Sequence, residues 1–239
     1  MLITAVLVVC TGFTISPSKI KPEAFGKDKT FALITLAATS KITTDHQSGG
    51  LVGMFKGASK SHDFSKDSSR VFAETVPVLL EELRGSKSFN LLPQGTVFQN
   101  PAYLSTTPDK PKKWFGVKMV PAEGFKFFKD KKKIKKLVEE MNVDGVILLS
   151  VAYRVGFRGA NISGISGVGK EKGVAMVAVY AVDKNGKVVW KHATEAVGKK
   201  GLMSTGGAAN FDKLQSGFVD ASRKAAQKLI KKLDKKVGG

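Results

Sequence analysis

Residues Val174–His192, VAMVAVYAVDKNGKVVWKH, decide the fold class. Two apolar, β-rich runs flank Asp183-Lys184-Asn185-Gly186, and Asn-Gly between such runs is the strongest short-range hairpin signal. The pattern predicts a β-hairpin with a type I′ turn, in which Asn185 and Gly186 would both take positive φ.

Working outward, Val146–Tyr153 (VILLSVAY) is an almost unbroken apolar run, as expected of a strand covered on both faces. Asp144-Gly145 introduces it. Before it, residues 130–141 (DKKKIKKLVEEM) place Ile134, Leu137, Val138 and Met141 on one helical face with lysines elsewhere. After the hairpin, residues 211–237 predict a long helix whose buried stripe is Leu214, Phe218, Ala221, Ala225, Leu229 and Leu233. Lysines crowd its last turns, where the helix dipole favours cations.

Upstream, Lys29–Ala38 (KTFALITLAA) reads as a second buried strand, and residues 68–83 as an amphipathic helix carrying Pro77, which would kink it or mark its first turn. Ser88–Pro93 reads as a short strand, and another is expected around Thr96–Gln99. The order β-α-β-α-β-β-β-α predicts an α/β (α+β) fold, a mixed β-sheet with three main helices packed on it. The domain parse is a signal-like segment 1–12, a linker arm 13–28, and a single α/β domain 29–239 with a Gly-rich loop at 156–173.

The chain has 239 residues, an apolar fraction of 42% and a net charge of +19, so it is long enough for a sizeable core and too apolar for wholesale disorder. Only five of its 39 basic residues are Arg, leaving 34 Lys. Sequence-specific nucleic-acid readout favours the bidentate Arg fork, whereas Lys acts as a hydrated point charge. The charge therefore implies diffuse attraction to an anionic surface, such as an anionic membrane or lipopolysaccharide, with nucleic acid the weaker expectation.

Cys10 is the single cysteine, so no intramolecular disulfide forms. It closes the apolar run MLITAVLVV, which is too short to span a bilayer (about 20 residues) but suits a secretory h-region. Cys10 is a lipidation candidate, and export to the periplasm or an outer-membrane anchor is the expected location. The rival reading takes residues 1–12 as an ordinary strand of a cytoplasmic, Lys-rich nucleic-acid-binding module.

No catalytic constellation emerges. Gly164 to Lys170 matches the spacing of a phosphate-binding loop, but Glu171 stands where Ser or Thr is needed and a strand follows instead of a helix. His46, His62 and His192 lack metal-ligand spacing. Glu81-Glu82 and Glu139-Glu140 read as solvated surface charge. No enzyme, cofactor or metal site is expected. Arg154, Arg158, Lys170 and Lys172, around the Gly-rich connection, are the candidate contacts for an anion or partner. In the Lys126–Lys136 cluster (KFFKDKKKIKK), Phe127 and Phe128 are expected to pack into the core while the lysines stay in solvent.

The stretches NVDGVILLSVAYRV and VAVYAVDKNGKVVWKH, with the closing helix, resemble bacterial envelope lipoproteins related to the curli-secretion protein CsgG and the TolB N-terminal domain. Asp144, Asp183, Gly186, Val188, Val189 and Trp190 carry the likeness. It implies an exported envelope protein, membrane-anchored or assembly-type, with an envelope protein partner or self-association and no active site.

Overall fold

The computed structural model describes residues 18–44, 65–114, 116–159, 169–204 and 211–238. In chain order the elements are β1 (Lys19–Ile20), a 3-10 turn (Pro22–Ala24), β2 (Thr30–Thr39), β3 (Thr43–Thr44), α1 (Ser65–Arg84), β4 (Asn90–Leu91), α2 (Gln94–Gln99) and α3 (Pro101–Ser105). Then follow β5 (Lys113–Trp114), β6 (Val117–Pro121), α4 (Lys131–Glu140), β7 (Gly145–Gly159), β8 (Gly169–Asp183), β9 (Val188–Ser204) and α5 (Phe211–Val237).

The strands form one mixed open sheet in the order β1-β9-β8-β7-β2-β6-β5, with β3 beside β7 and β4 beside β2. β2 and β7 run parallel, while β7-β8-β9 is an antiparallel meander. The fold is α+β with three long helices, as the sequence predicts. α1 and α5 cover one face through Val71, Leu79, Phe218 and Leu229. α4, with the short α2 and α3, covers part of the other through Val97, Tyr103, Ile134 and Leu137. β2 explains its unbroken apolar run by serving both faces, with Phe31 and Leu33 on one and Ala32 and Ile34 on the other.

The motif residues are structural. The Asp144 carboxylate accepts from the Thr30 N–H at 2.9 Å, and the Asp144 N–H donates to the Thr30 carbonyl at 2.9 Å, clamping the starts of β2 and β7. The Asp183 carboxylate accepts from the N–H groups of Asn185 and Lys187. This hairpin turn departs from the type I′ expectation. Gly186 has φ of 73°, but Asn185 does not have positive φ, and Gly186 N–H donates to Asp183 O at 2.9 Å. The loop is three residues long, a type I-like turn followed by a left-handed glycine with a register shift beside it. Asp183 decides between the two geometries by holding the turn from its first position.

Other expectations are corrected as well. The linker arm 13–28 is part of the sheet from Lys19, because Ile20 and Phe25 find apolar partners there and Phe25 stacks on Phe31 at 5.1 Å. The Gly-rich loop 156–173 is ladder at both ends, with Gly156↔Lys172 and Gly159↔Gly169 in register, and only 160–168 fall outside the described residues. Its glycines mark close approaches, since a Cβ on Gly173 would meet the Phe218 N at 2.7 Å. The strand expected at Thr96–Gln99 is helix α2. Pro93 and Pro101 open α2 and α3, and the Asn100 side chain caps the Ala102 N–H at 2.9 Å. The Ser88–Pro93 strand shrinks to β4. Pro77 sits past the first turn of a continuous α1, on its exposed side.

Asp234 fastens the end of α5 to the turn after α1. Its Oδ1 accepts from Ser86 Oγ at 3.0 Å, Ser88 Oγ at 2.6 Å and Lys87 N at 3.2 Å. Asp234→Ala leaves three donors without their acceptor and is expected to cost about 1–3 kcal/mol. Urea unfolding checks this as a lower midpoint at unchanged slope.

Candidate functional site

The strand register places Leu148 opposite Tyr180, Tyr180 opposite Lys191, and Lys191 opposite Lys19. These residues share the sheet face away from α5, and Ser150 lies two residues beyond Leu148 on the same face. Segment 125–130 runs over them and is pinned to β2: the Thr35 hydroxyl donates to Lys126 O at 2.9 Å and accepts from Phe128 N at 3.1 Å. The start of α4 closes the other side, capped by Asp130, whose carboxylate accepts from Lys132 N at 2.7 Å.

Together these parts enclose a cleft of about 250 Å³. Its floor is apolar, made by Phe127, Phe128, Ile134 and Leu148. Ser150 and Tyr180 add hydroxyls, and Lys112, Lys129, Lys131 and Lys191 stand around it. Among the described residues no carboxylate lines it. Lys112, Lys129 and Lys131 make no ion pair among the described residues. Burial raises the Tyr180 pKa above its ordinary value, so the phenol stays protonated as a donor. A larger depression of about 340 Å³ lies between α1 and β6, lined by Phe72, Val76 and Pro121 with one carboxylate, Glu123. Among the described residues it carries no lysine.

Within the Lys126–Lys136 cluster the structure separates roles that the sequence shows only as charge. Phe127 and Phe128 are buried, as expected. Lys126 is structural: its Nζ donates to the carbonyls of Tyr103, Leu104 and Thr106 at 2.7, 2.7 and 3.1 Å. Lys133 pairs with Asp109 at 2.6 Å, while Lys135 and Lys136 pair with Glu139 and Glu140 along the helix.

Asp109 also accepts from the N–H groups of Lys129 and Asp130 at 2.8 Å. Burial pushes its pKa up, but the Lys133 ammonium and these two amides outweigh that and leave it below the ordinary value. A carboxylate with a depressed folded pKa contributes stability that is complete above the unfolded value of about 3.9 and is lost as pH falls through the folded one. Asp109→Asn is therefore expected to be less stable than wild type by about 1–3 kcal/mol at neutral pH. The two proteins should converge in acid, below both pKa values, which urea midpoints measured across that range will show.

The sequence-predicted contacts lie elsewhere. Arg154 pairs with Glu195 at 2.7 Å on the same sheet face. Arg158 stands opposite Lys170, and Lys172 opposite Gly156, so all four positions share that face on the far extension of β7 and β8. Arg154, Lys170 and Lys172 do not line the cleft. Cys10, His46 and His62 lie outside the described residues. His192 is on the opposite face, where burial and the Lys232 charge lower its pKa. Glu81 and Glu82 are bridged by Arg223 from α5 at 2.9 and 3.1 Å. Sequence reading missed Lys112, Ser150, Tyr180 and Lys191 as site residues. The signal for Ser150, Tyr180 and Lys191 is register, which places them on one face once the strand partners are known, while Lys112 lies just before β5 and is brought there only by the path of the chain. Among the described residues no His, Cys, Asp and Glu cluster is placed to hold a metal ion, and no helix is long and apolar enough to cross a membrane.

The site defines a class in physical terms: an α+β domain with an open mixed sheet and a lysine-rimmed cleft. No protein-family model matches the chain, and no curated protein matches it. Solved structures show a distant similarity. The C-terminal domain of LpoB from Salmonella enterica aligns with 71% of this chain and 83% of its own, at 8% identity and a TM-score of 0.32. The hypothetical protein CT253 from Chlamydia trachomatis aligns over 88% of this chain and 96% of its own, at 10% identity and a TM-score of 0.33. A candidate lipoprotein from Caulobacter crescentus aligns over 36% of this chain and 64% of its own, at 15% identity and a TM-score of 0.18. Likeness at this level says nothing about activity.

Proposed function

We propose that this is a non-enzymatic protein of the bacterial cell envelope, exported and held at a membrane, that works as a binding or assembly component. The observation that carries the reading is the position of β1. β1 sets Lys19 directly opposite Lys191, on the face that bears the cleft. Cys10 lies nine residues before Lys19, a stretch that reaches at most about 30 Å. A lipid on Cys10 would thus hold the cationic cleft close to an anionic membrane surface, where lysines gain most from long-range attraction. The apolar run ending at Cys10, and the pattern at Asp144, Asp183, Gly186 and Trp190 that resembles the CsgG and TolB type, support the same reading.

The test is intact mass and fractionation of the native protein from its own host. The expected result is a membrane-bound chain that has lost its first nine residues and carries a lipid adduct on Cys10. A chain cleaved without lipid would keep the envelope and discard the anchor. A full-length chain in the cytosol with steeply salt-dependent DNA or RNA binding would overturn the proposal in favour of a nucleic-acid-binding module.

A further inference from the structure

We infer that the lysine-rimmed cleft is a binding site for a small amphiphilic anion, a single carboxylate or phosphate head on a short apolar tail. The inference does not depend on the envelope reading and would stand for a cytosolic protein. It rests on charge, donors and shape together.

Charge comes first. Lys112, Lys129 and Lys131 converge on the cleft from two separate segments and make no ion pair among the described residues. The nearby acids do not neutralise them: Asp109 is engaged by Lys133 and two amides, and Asp130 caps α4. Because Asp130 already serves the N–H groups at the start of α4, an incoming anion would meet side-chain donors rather than the helix end.

Those donors are present and unused. Ser150 lines the cleft with only 8% of its surface exposed, and its hydroxyl makes no hydrogen bond among the described residues. The Tyr180 phenol is likewise without a partner there. Both hydroxyls are therefore free to donate to a bound acceptor without breaking an existing protein hydrogen bond. The third hydroxyl, on Thr35, is fully committed to Lys126 and Phe128 and so shapes the wall without binding.

Shape narrows the ligand. The floor of Phe127, Ile134 and Leu148 offers no polar partner, so the part of the occupant that rests on it is apolar. About 250 Å³ is below the range of roughly 300–1,000 Å³ typical of drug-sized ligands. The volume suits a single short chain or ring with one anionic end better than a two-chain lipid.

The experiment is titration of the purified full-length protein, by calorimetry and amide-shift NMR, with octanoate and with octyl phosphate below their micellar concentrations. Acetate, inorganic phosphate and octyl glucoside serve as head-only and tail-only controls. Saturable binding is expected for one or both octyl anions, weakened by salt, with shifts centred on Ser150, Tyr180 and Lys131, and none for the controls. The two octyl probes report which head is preferred.

Ser150→Ala combined with Tyr180→Phe removes both donors while keeping the shape, and should weaken binding about tenfold or more, as expected for hydrogen bonds to a charged group. Lys129→Gln with Lys131→Gln, at the solvent-exposed rim, should weaken it without touching the core. Lys231→Gln with Lys235→Gln on α5 should change nothing. Absence of binding by either octyl anion, equal binding by octyl glucoside, or undiminished binding by both cleft variants would overturn the inference.

Discussion

Trp190→Ala is expected to lower the stability of the protein by about 3–5 kcal/mol, the range for removing a fully buried large aromatic. Trp190 has no exposed surface. It meets Phe25 edge-on at 6.2 Å and Phe89 at 6.4 Å, and Phe31 stacks on Phe25 at 5.1 Å. The four rings come from the end of the 3-10 turn, β2, the residue before β4, and β9, so the cavity would open where four chain segments meet. Its Nε1 is buried and has no hydrogen-bond partner among the described residues. Trp190→Phe should therefore cost much less than Trp190→Ala, because it keeps a ring and removes an unpaired donor. Urea midpoints of the three proteins decide the matter, and equal losses for the two variants would mean that the ring cluster contributes nothing specific.

Gly198→Val is expected to destabilise by at least the ~1–3 kcal/mol of ordinary overpacking and to displace α5. A Cβ on Gly198 would stand 2.2 Å from the Gly217 carbonyl oxygen of α5, a backbone atom that no rotamer change can move. Gly173 on β8 faces the same stretch of α5, its Cβ position 2.7 Å from the Phe218 N. Three glycines thus allow helix and sheet backbones to touch. The contact is locked beside it, where the Lys199 N–H donates to Asp220 Oδ2 at 2.6 Å and Lys224 pairs with the same carboxylate. Gly198→Ala should show the same effect in smaller measure. A variant as stable as wild type, with unchanged amide shifts along α5, would show that the crossing has slack.

The main elements were readable because each carries its own periodicity. The helix over 211–237 and the hairpin around Asp183 follow from spacing that any local window contains. What misled was glycine and proline. Gly156 and Gly173 look like loop composition, yet they sit in strands, Gly156 beneath the Val174 side chain and Gly173 against the backbone of α5. Pro93 and Pro101 look like strand terminators, yet they start helices, since a missing N–H costs nothing in a first turn. Asn185-Gly186 promises one turn type, and the Asp183 carboxylate selects another.

By itself the sequence determined the α+β class, the three long helices, the buried strands and the burial of Phe127 and Phe128, because these depend on hydrophobic pattern along a short stretch of chain. Tertiary structure alone decided that the arm from Lys19 joins the sheet, and that Lys112, Lys131, Ser150 and Tyr180 meet at one cleft. It also decided which lysines of a uniform-looking cluster are spent on carbonyls and carboxylates and which remain to meet an anion. The physical reason is that charge and hydrogen-bonding capacity are written in each residue, whereas their partners are set by strand register and helix docking between segments far apart in the chain.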